Sequence, residues 1–333
     1  MTASARPDMV VALDAMGGDH GPEVTVSAAL EAVSSGDLAI ALVGDSEAVM
    51  PVLAEHDAVD HPLLQVVPSD GVVEETDNPA MVFRSKPRAS IFVCSGLVKM
   101  GKAHAFVSMG STGASIAAAT VTYGTMEGIS RGCLGGPIIG YAPNTVIIDL
   151  GANIDIRPQQ LAGFGTLGTV MSRVLYGQEN PRLALLNVGS EETKGNELVK
   201  GTAELLRDSS LNFVGMIEPY DLPLGKAEVV ICDGFVGNIV LKLTEGLGQA
   251  ISNHVRKKGG NDALADEIDS MTNSLAIHGG GPLLGVNGIA VVGHGAAGAS
   301  GVSTAINTAK FVYDNDFVGA QQKELTAFLA NAS

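Results

Sequence analysis

Tryptophan is absent from this 333-residue sequence, aromatic residues make up only 4% of it, and there are three cysteines. Cys94, Cys133 and Cys232 are odd in number and lack CxxC spacing, which argues against a disulfide framework and a cysteine zinc cluster. Basic residues are also scarce, because 20 Lys and Arg residues face 36 Asp and Glu residues, for a net charge of −16. Such an acidic chain excludes nucleic-acid binding over a broad surface.

Long apolar segments are absent too. No uninterrupted apolar run approaches the about 20 residues that a membrane-spanning helix needs, and residues 1–7 lack the apolar core of a signal peptide. Cysteines without a predicted disulfide or metal partner are expected to be reduced thiols, and together with these absences this predicts a soluble cytoplasmic protein.

The sequence is rich in glycine, with 42 residues placed in a repeating local pattern. An apolar segment of strand length ends at a polar or glycine residue, and a glycine-rich stretch follows at once. The pattern occurs seven times, ending in residues 14–18, 44–45, 110–113, 149–153, 187–191, 233–238 and 293–295. Apolar strands of this kind predict a parallel sheet covered on both faces, with all seven loops at its carboxyl edge. Backbone N–H groups and helix N-termini at such an edge predict anion binding.

Two lysines and one histidine lie in these loops or soon after them. Lys194 and Lys242 follow strand ends, where a lysine can reach a phosphate held by the backbone. Exposed lysines at helix starts would show the same spacing, so both interpretations stay open. His294 stands between two glycines and is equally open to a functional or a structural role.

A cysteine and a group of polar residues at other strand ends favour structural roles. Cys232 ends a strand, where a nucleophile could stand, but no histidine is near it in sequence, which favours a buried small side chain. Asp14, Asp19 and His20 could suggest a metal, but no second His or Cys cluster completes a site. Capping is therefore the favoured role of these three residues.

One glycine motif is misleading. Residues 163–168 fit the dinucleotide-binding pattern GxGxxG, but that pattern needs a strand immediately before it, and residues 155–160 are not strand-like. We interpret these glycines as positions where a helix packs closely. The phosphate-binding pattern GxxxxGK[ST] does not occur, since Lys194 precedes Gly195.

Two segments are distinguished by charge. Residues 74–102 contain five basic residues in an acidic chain, which indicates either a solvated helix face or a docking patch for an acidic partner: Arg84, Lys86, Arg88, Lys99 and Lys102. Residues 246–278 are polar and predict a helical hairpin insertion with a turn at 256–261. We predict that residues 8–333, including this insertion, form one domain, and two lobes around a cleft are also possible.

From the residues alone, the conclusion is an α/β protein that binds a small anion. The loop motifs, however, closely resemble the bacterial acyl-acyl-carrier-protein:phosphate acyltransferases of phospholipid synthesis. The matching blocks occur in family order along nearly the whole chain: residues 13–19, 97–99, 105–108, 149–153, 186–189, 191, 194–196, 232–235, 237–238 and 282–286.

This resemblance implies a three-layer α/β/α fold with a mostly parallel sheet, like that of the isocitrate and isopropylmalate dehydrogenases. It also implies a homodimer that moves a fatty acyl group from acyl-carrier protein to inorganic phosphate, without a cofactor or a metal. Phosphate would attack the thioester directly. The implied catalytic residues are Lys194 for charge, Asn238 as an oxyanion donor, and Asp233 and His294 for orientation or proton exchange. The implied phosphate-binding residues are Gly17, Gly18, Ser111, Thr112 and Gly113, and the five basic residues would bind the carrier protein.

The chain departs from the family pattern at three places. Ser111 replaces an asparagine, Pro219–Tyr220 replaces a Gly-Arg pair, and Ala296–Ala297 replaces two serines. These changes remove one arginine and two hydroxyl donors. Two alternatives therefore stay open: a phosphate acetyl- or butyryltransferase that uses acyl-coenzyme A, and a non-catalytic protein that binds phosphate or an acyl carrier. The family also tends to carry an apolar helical hairpin that touches the membrane, whereas the corresponding segment, residues 246–278, is short and polar here, which predicts at most weak peripheral membrane association.

Overall fold

The computed structural model describes residues 7–74, 77, 81–272 and 280–331. The chain forms two compact units. The first consists of Met1–Gly124 and His278–Asp314, and the second of Thr125–Ile277 and Asn315–Ser333.

The first unit is a sheet flanked by helices. Its strands are β1 (Met9–Asp14), β2 (Leu38–Gly44), β3 (Leu64–Pro68), β4 (Ala105–Ser108), β10 (Gly281–Leu284) and β11 (Ile289–Val292). Its helices are α1 (Gly21–Val33), α2 (Ser46–Glu55), α3 (Val82–Ser85), α4 (Ser90–Lys99), α5 (Thr112–Tyr123) and α10 (Ala299–Asp314). The strand order is β3-β2-β1-β4-β11-β10, and in the described part of this unit only β10 runs antiparallel to its neighbour.

The second unit repeats this plan. Its strands are β5 (Cys133–Gly136), β6 (Val146–Ile148), β7 (Leu183–Leu186), β8 (Phe213–Ile217) and β9 (Val229–Ile231). Its helices are α6 (Pro158–Tyr176), α7 (Glu197–Arg207), α8 (Gly234–Lys257), α9 (Asp262–Thr272) and α11 (Phe317–Asn331), with a 3₁₀ turn at Pro219–Leu224. The order is β5-β6-β9-β7-β8, and β5 alone among these described strands is antiparallel to its neighbour.

The central strands are buried throughout, as their continuous apolar sequences predicted. Every residue of β4, β7, β9 and β11 is buried. In the first unit, α1 and α10 contact each other, α4 and α5 contact each other, and α1, α4 and α10 all contact β1. Apolar residues on both faces of a strand need cover on both sides, which these two groups of helices provide.

The sequence did not predict the two antiparallel strands. β5 reads CLGG and β10 reads GPLL, so neither has the long apolar run by which the parallel strands were recognised.

The GxGxxG segment lies in the middle of α6 and is buried. A Cβ atom at Gly165 would lie 2.9 Å from a methyl carbon of Leu183, and one at Gly168 would lie 2.6 Å from a methyl carbon of Val229. These contacts join the helix to β7 and β9 at close range. The interpretation as helix packing is confirmed.

The predicted turn at 256–261 lies between α8 and α9, where Arg256 forms ion pairs with Asp266 (2.6 Å) and Asp269 (2.8 Å). The first helix of this pair begins at Gly234, directly after β9. Residues 273–278 of the predicted hairpin lie outside the described residues, so its boundaries stay a prediction. Within the described ranges, no helix is both long and apolar enough to cross a lipid bilayer.

Candidate functional site

In the first unit, the loop after β1 turns sharply around the side chain of Asp14. Oδ1 of Asp14 accepts hydrogen bonds from the backbone N–H groups of Met16 (3.2 Å) and Gly17 (3.1 Å). A Cβ atom at Gly17 would lie 2.8 Å from both Oδ2 of Asp14 and the backbone nitrogen of Gly110, so a side chain does not fit there. Gly18 has a φ of +90°, a conformation that residues with a Cβ atom rarely adopt.

The same aspartate joins the loop after β1 to the loop after β4. The hydroxyl of Ser108 donates to Oδ2 of Asp14 at 2.7 Å and accepts from the backbone N–H of Gly110 at 3.0 Å. Burial raises the pKa of Asp14, against the opposing hydrogen bonds from Ser90, Ser108 and the two backbone groups. The cavity beside these residues is about 10 Å³, room for about one water molecule and too small for phosphate.

The loop after β11 lies against these two loops. The backbone N–H of Asp19 donates to the carbonyl oxygen of Gly295 at 2.8 Å, and a Cβ atom at Gly18 would lie 3.1 Å from the same oxygen. Three loops after adjacent parallel strands therefore meet at one edge of the first unit.

The predicted phosphate-binding residues are brought together at this edge. Gly17 and Gly18 lie in the loop after β1, and Ser111 caps α5 by accepting a hydrogen bond from the N–H of Ala114 at 3.4 Å. Thr112 and Gly113 form the first turn of that helix, and Thr112 is exposed. The helix start thus presents its N–H groups and its positive dipole end.

His294 lies in the third of these loops with its side chain exposed. Its Nδ1 accepts a hydrogen bond from the N–H of Ala296 at 3.3 Å, a local contact that stabilises the turn. For Asp14, the capping prediction is wrong, because its carboxyl accepts hydrogen bonds within the loop after β1 and caps no helix. His20 stands at the N-cap of α1 without a capping hydrogen bond from its side chain, so the capping prediction is wrong for that residue.

In the second unit, Asp149 repeats the role of Asp14. Its Oδ1 accepts from the N–H of Ala152 at 3.2 Å, and its Oδ2 accepts from the N–H (2.7 Å) and the side-chain amide (2.8 Å) of Asn153. The amide of Asn153 also donates to the carbonyl oxygen of Gly132 at 3.1 Å. Burial raises the pKa of Asp149, and the side-chain hydrogen bond from Asn153 opposes this shift most strongly.

The loop that carries Lys194 is organised around Asn187. The side-chain amide of Asn187 donates to the carbonyl oxygen of Gly189 at 2.8 Å, and a Cβ atom at Gly195 would lie 2.6 Å from its Oδ1. The N–H of Lys194 donates to the carbonyl oxygen of Glu191 at 3.0 Å. The lysine side chain is exposed on this braced loop, where it is free to contact a ligand.

The start of α8 brings two more predicted residues into the second unit's site. Asp233 caps the helix by accepting from the N–H of Val236 at 2.9 Å. Asn238 is exposed on the next turn of α8 and lies close to Gly151. A Cβ atom added at Gly151 would be 3.5 Å from Oδ1 of Asn238. Asp233 also lines a cavity of about 510 Å³ together with Gly195, the neighbour of Lys194. The structure therefore places Lys194 in the loop after β7, and Asp233 and Asn238 at the start of the helix that follows β9, the parallel neighbour of β7.

Cys232 is buried, and burial raises the pKa of its thiol far above the usual value. A neutral, inaccessible thiol is not a nucleophile. The interpretation as a buried small side chain is confirmed.

Lys242 does not lie at a strand end, so the prediction that it follows a strand end within reach of a phosphate is wrong. It stands in the third turn of α8, about 12 Å along the axis from the helix start, and pairs with Glu245 at 2.8 Å. The number of residues between β9 and Lys242 suggested a loop position, but α8 begins almost directly after the strand, so Lys242 lies within the helix.

The five basic residues of the segment 74–102 divide into separate groups. Lys86 pairs with Asp77 at 2.6 Å. Arg84 and Arg88 are exposed before the start of α4, whereas Lys99 and Lys102 are exposed at its end, about 15 Å away along the helix axis. A partner would have to span α4 to contact both groups.

No role for Ser108, Asp149, Asn153 or Asn187 was predicted from the sequence. Asp149 carries the same signal as Asp14, since each acidic residue ends a buried apolar strand and is followed by small residues. The serine had no such signal, because its partner is 94 positions away.

Comparison with solved structures defines the class of fold. The chain is similar to a phosphotransacetylase from Streptococcus pyogenes, with a TM-score of 0.57 and 20% identity over 94% of this chain and 93% of that one. It is also similar to a 4-hydroxythreonine-4-phosphate dehydrogenase from Klebsiella pneumoniae, with a TM-score of 0.51 and 15% identity over 92% and 99% of the two chains. The predicted dehydrogenase-like α/β class, with its mostly parallel sheet, is confirmed.

The sequence comparison then defines the family. Residues 9–319 match the model of a family described as fatty acid synthesis protein. A phosphate acyltransferase from Heliobacterium modesticaldum is 39% identical over 327 residues, which cover 95% of this chain and 98% of the relative. This chain belongs to that family of phosphate acyltransferases, as its loop motifs predicted.

Proposed function

We propose that this protein moves a fatty acyl group from acyl-carrier protein to inorganic phosphate and so supplies acyl phosphate for phospholipid synthesis in the cytoplasm. The observation that carries the proposal is the match to a phosphate acyltransferase over 98% of the relative's length. Three buried free thiols agree with a reducing compartment.

In the first unit, the start of α5 is the proposed site of the anion. α5 has 12 residues, so its dipole is well developed, and Thr112 leaves the first turn open to solvent. The cavity of about 10 Å³ beside Asp14 is too small for phosphate, so the ion would bind on the exposed side of the loops. Ser111 uses its hydroxyl to cap the helix and therefore stabilises the loop that presents the N–H groups.

In the second unit, Lys194 and Asn238 are the proposed electrostatic groups. Lys194 is exposed on a loop that a buried hydrogen bond from Asn187 holds, and Asn238 is exposed on the second turn of α8, whose start is capped by Asp233. Charge and amide dipole are therefore positioned before a substrate arrives. The reaction breaks the thioester C–S bond as a phosphate oxygen bonds to the carbonyl carbon. The leaving thiolate has a pKa of about 8.5 and needs little help from an acid. Cys232, buried and neutral, takes no covalent part.

Acyl-carrier protein is the proposed donor because exposed cations are concentrated near α4 in an otherwise acidic chain. The test compares acyl-carrier protein with acyl-coenzyme A at equal acyl chain length. Arg88→Glu and Lys99→Glu should lower kcat/KM for the carrier at least about tenfold and leave that for coenzyme A within about twofold. An equal loss with both donors would exclude a docking role.

A homodimer is also proposed, because α8 exposes an apolar stripe at four-residue spacing. Each of its members is about half exposed: Phe235, Ile239, Leu243, Leu247 and Ile251. A soluble chain usually covers such a stripe with a partner. Sedimentation analysis should give a dimer for the wild type and a monomer for Leu243→Lys. A dimer that survives this substitution would place the interface elsewhere.

Trapping of acyl phosphate with hydroxylamine tests the proposed reaction. Wild-type protein, phosphate and acyl-carrier protein should give hydroxamate, whereas Lys194→Ala should reduce turnover at least about 100-fold without changing thermal stability. The matched control is Lys200→Ala, which removes another exposed lysine from the segment that follows Lys194 and should keep full activity.

Other outcomes are equally informative. Hydroxamate from acyl-coenzyme A alone would indicate an acetyl- or butyryltransferase. Binding of phosphate or carrier without any hydroxamate would indicate a non-catalytic protein, which the loss of two hydroxyls at Ala296–Ala297 makes a specific alternative. Full activity of Lys194→Ala would remove that lysine from the mechanism.

A further inference from the structure

The second unit contains a cavity of about 510 Å³ at the carboxyl ends of β7 and β9. Its wall is mainly aliphatic and comes from β7 and from helices α6, α7 and α8. Leu161 and Leu186 are fully buried, whereas Leu198, Val199 and Val236 are only half-buried, because part of each side chain faces the cavity. The volume is within the range of pockets that hold small organic ligands.

The polar side chains that line this cavity are already engaged by the chain's own backbone. Asn187 donates to the carbonyl oxygen of Gly189 at 2.8 Å. Asn196 accepts from the N–H of Val199 at 2.9 Å, and Asp233 accepts from the N–H of Val236 at 2.9 Å. These groups stabilise the loop and the two helix starts and leave the wall predominantly apolar.

We propose that this cavity holds the alkyl chain of the acyl donor. The inference rests on the proposed function and adds to it a location for the substrate's apolar part. Asp233 and Gly195 line the cavity, so its rim is formed by the strand-end loops that carry Lys194 and the start of α8. The thioester end of a bound chain lies at this rim, and the methylene groups extend between α7 and α8.

The chemistry of the wall selects an alkyl chain over other parts of the substrate. Phosphate would be desolvated against leucine and valine, and the amide groups of a pantetheine arm would lack partners there. A second cavity in the same unit, of about 430 Å³, is lined by Glu204 and Asp208 and is unsuited to an alkyl chain. The choice of the first cavity therefore follows from the polarity of its lining, since the two volumes are similar.

Binding of free fatty acids to the wild-type protein tests the proposal without turnover. Calorimetric titration with saturated acids of increasing length should show the Kd falling roughly fourfold per added methylene until the cavity is full. A Kd that does not depend on chain length would overturn the proposal.

Variants that fill the cavity locate the binding site. In Val199→Phe and in Val236→Phe, the Kd should stop falling at a shorter fatty-acid chain length than in the wild type. Each variant should also prefer acyl donors with shorter chains. Val214→Phe is the matched control, because Val214 is 47% exposed on β8 and does not line the cavity. If both filling variants keep the wild-type length profile, the chain binds elsewhere.

A fatty acid with a terminal photoreactive group gives a readout that needs no variant. Cross-linking to wild-type protein should label the peptides around Val199 and Val236, and labelling confined to the exposed α8 stripe would contradict the proposal. A different result would refute the proposed function itself, namely that no acyl donor of any chain length gives hydroxamate. Hydroxamate formation with an unchanged length profile in both filling variants would refute this inference alone.

Discussion

The hydroxyl of Ser108 donates a 2.7 Å hydrogen bond to Oδ2 of Asp14, although the two residues are 94 positions apart in sequence. Each is the last residue of its strand, and β1 and β4 are neighbours in which Leu13 pairs with Val107. Because the strands are parallel, the two polar residues end at the same sheet edge. The buried carboxyl then orders the loops on which the proposed anion site depends.

Replacing Asp14 by asparagine should change how stability depends on pH. Burial raises the pKa of Asp14 above its usual value of 3.8, so its favourable contribution is complete at low pH and is lost as pH rises through the folded-state pKa. Asp14→Asn keeps the shape and does not ionise. Its free energy of unfolding, measured in urea, should therefore improve relative to wild type as pH rises from about 4 to about 7.

Asp60→Asn is the control for this experiment, since it removes an exposed carboxylate from the same unit. A difference between Asp14→Asn and wild type that stays constant over this range, or that changes in the opposite direction, would contradict the inferred pKa.

Truncating Asn153 should destabilise the second unit in a pH-dependent way. Its amide is the strongest group that favours ionised Asp149, so Asn153→Ala penalises the buried carboxylate. We expect a loss of about 2 kcal/mol in unfolding free energy near neutral pH and a smaller loss in acid, where the carboxyl is protonated in either protein. Urea denaturation at several pH values measures both, and an equal loss at all pH values would be inconsistent with this explanation.

A methyl group at Gly237 should disrupt the contact between α8 and the loop that begins at Asp149. A Cβ atom there would overlap the carbonyl oxygen of Asp149, and backbone cannot move aside as a flexible side chain can. Gly237→Ala should cost about 3 kcal/mol or more in unfolding free energy. Gly246→Ala on the same helix meets no atom within 4 Å and should be neutral or stabilising by up to about 1 kcal/mol. Similar thermal midpoints for the two variants would refute this packing argument.

The three thiols should be unreactive in the native protein. Cys94, Cys133 and Cys232 are all buried, and burial raises the pKa of each thiol. A chromogenic thiol reagent at neutral pH should give almost no signal until guanidinium unfolds the chain, and should then titrate three groups. Cys232→Ala should retain acyl phosphate formation. If the variant folds but is completely inactive, the thiol takes a covalent part in the reaction.

The buried parallel strands and the loops that follow them could be predicted from local sequence. Uninterrupted apolar runs identified the buried parallel strands, and the glycines after them identified the loops at their carboxyl ends. The same reasoning missed β5 and β10, because short glycine- or proline-containing strands are stabilised by their antiparallel partners and carry little signal of their own. It also misjudged Lys242, since a spacing counted from a strand end does not show where the helix begins.

By itself, the sequence determined the α/β class, the family, and the loops in which Gly17, Lys194 and Asp233 lie. Only the tertiary structure decided that Ser108 braces Asp14, that Asn187 braces the lysine loop, and that half-buried side chains of α7 and α8 surround an apolar cavity. The physical reason is the range of the interactions. Burial patterns and turn geometry are encoded over a few residues, whereas these hydrogen bonds and this cavity depend on which strands become neighbours and how closely helices pack.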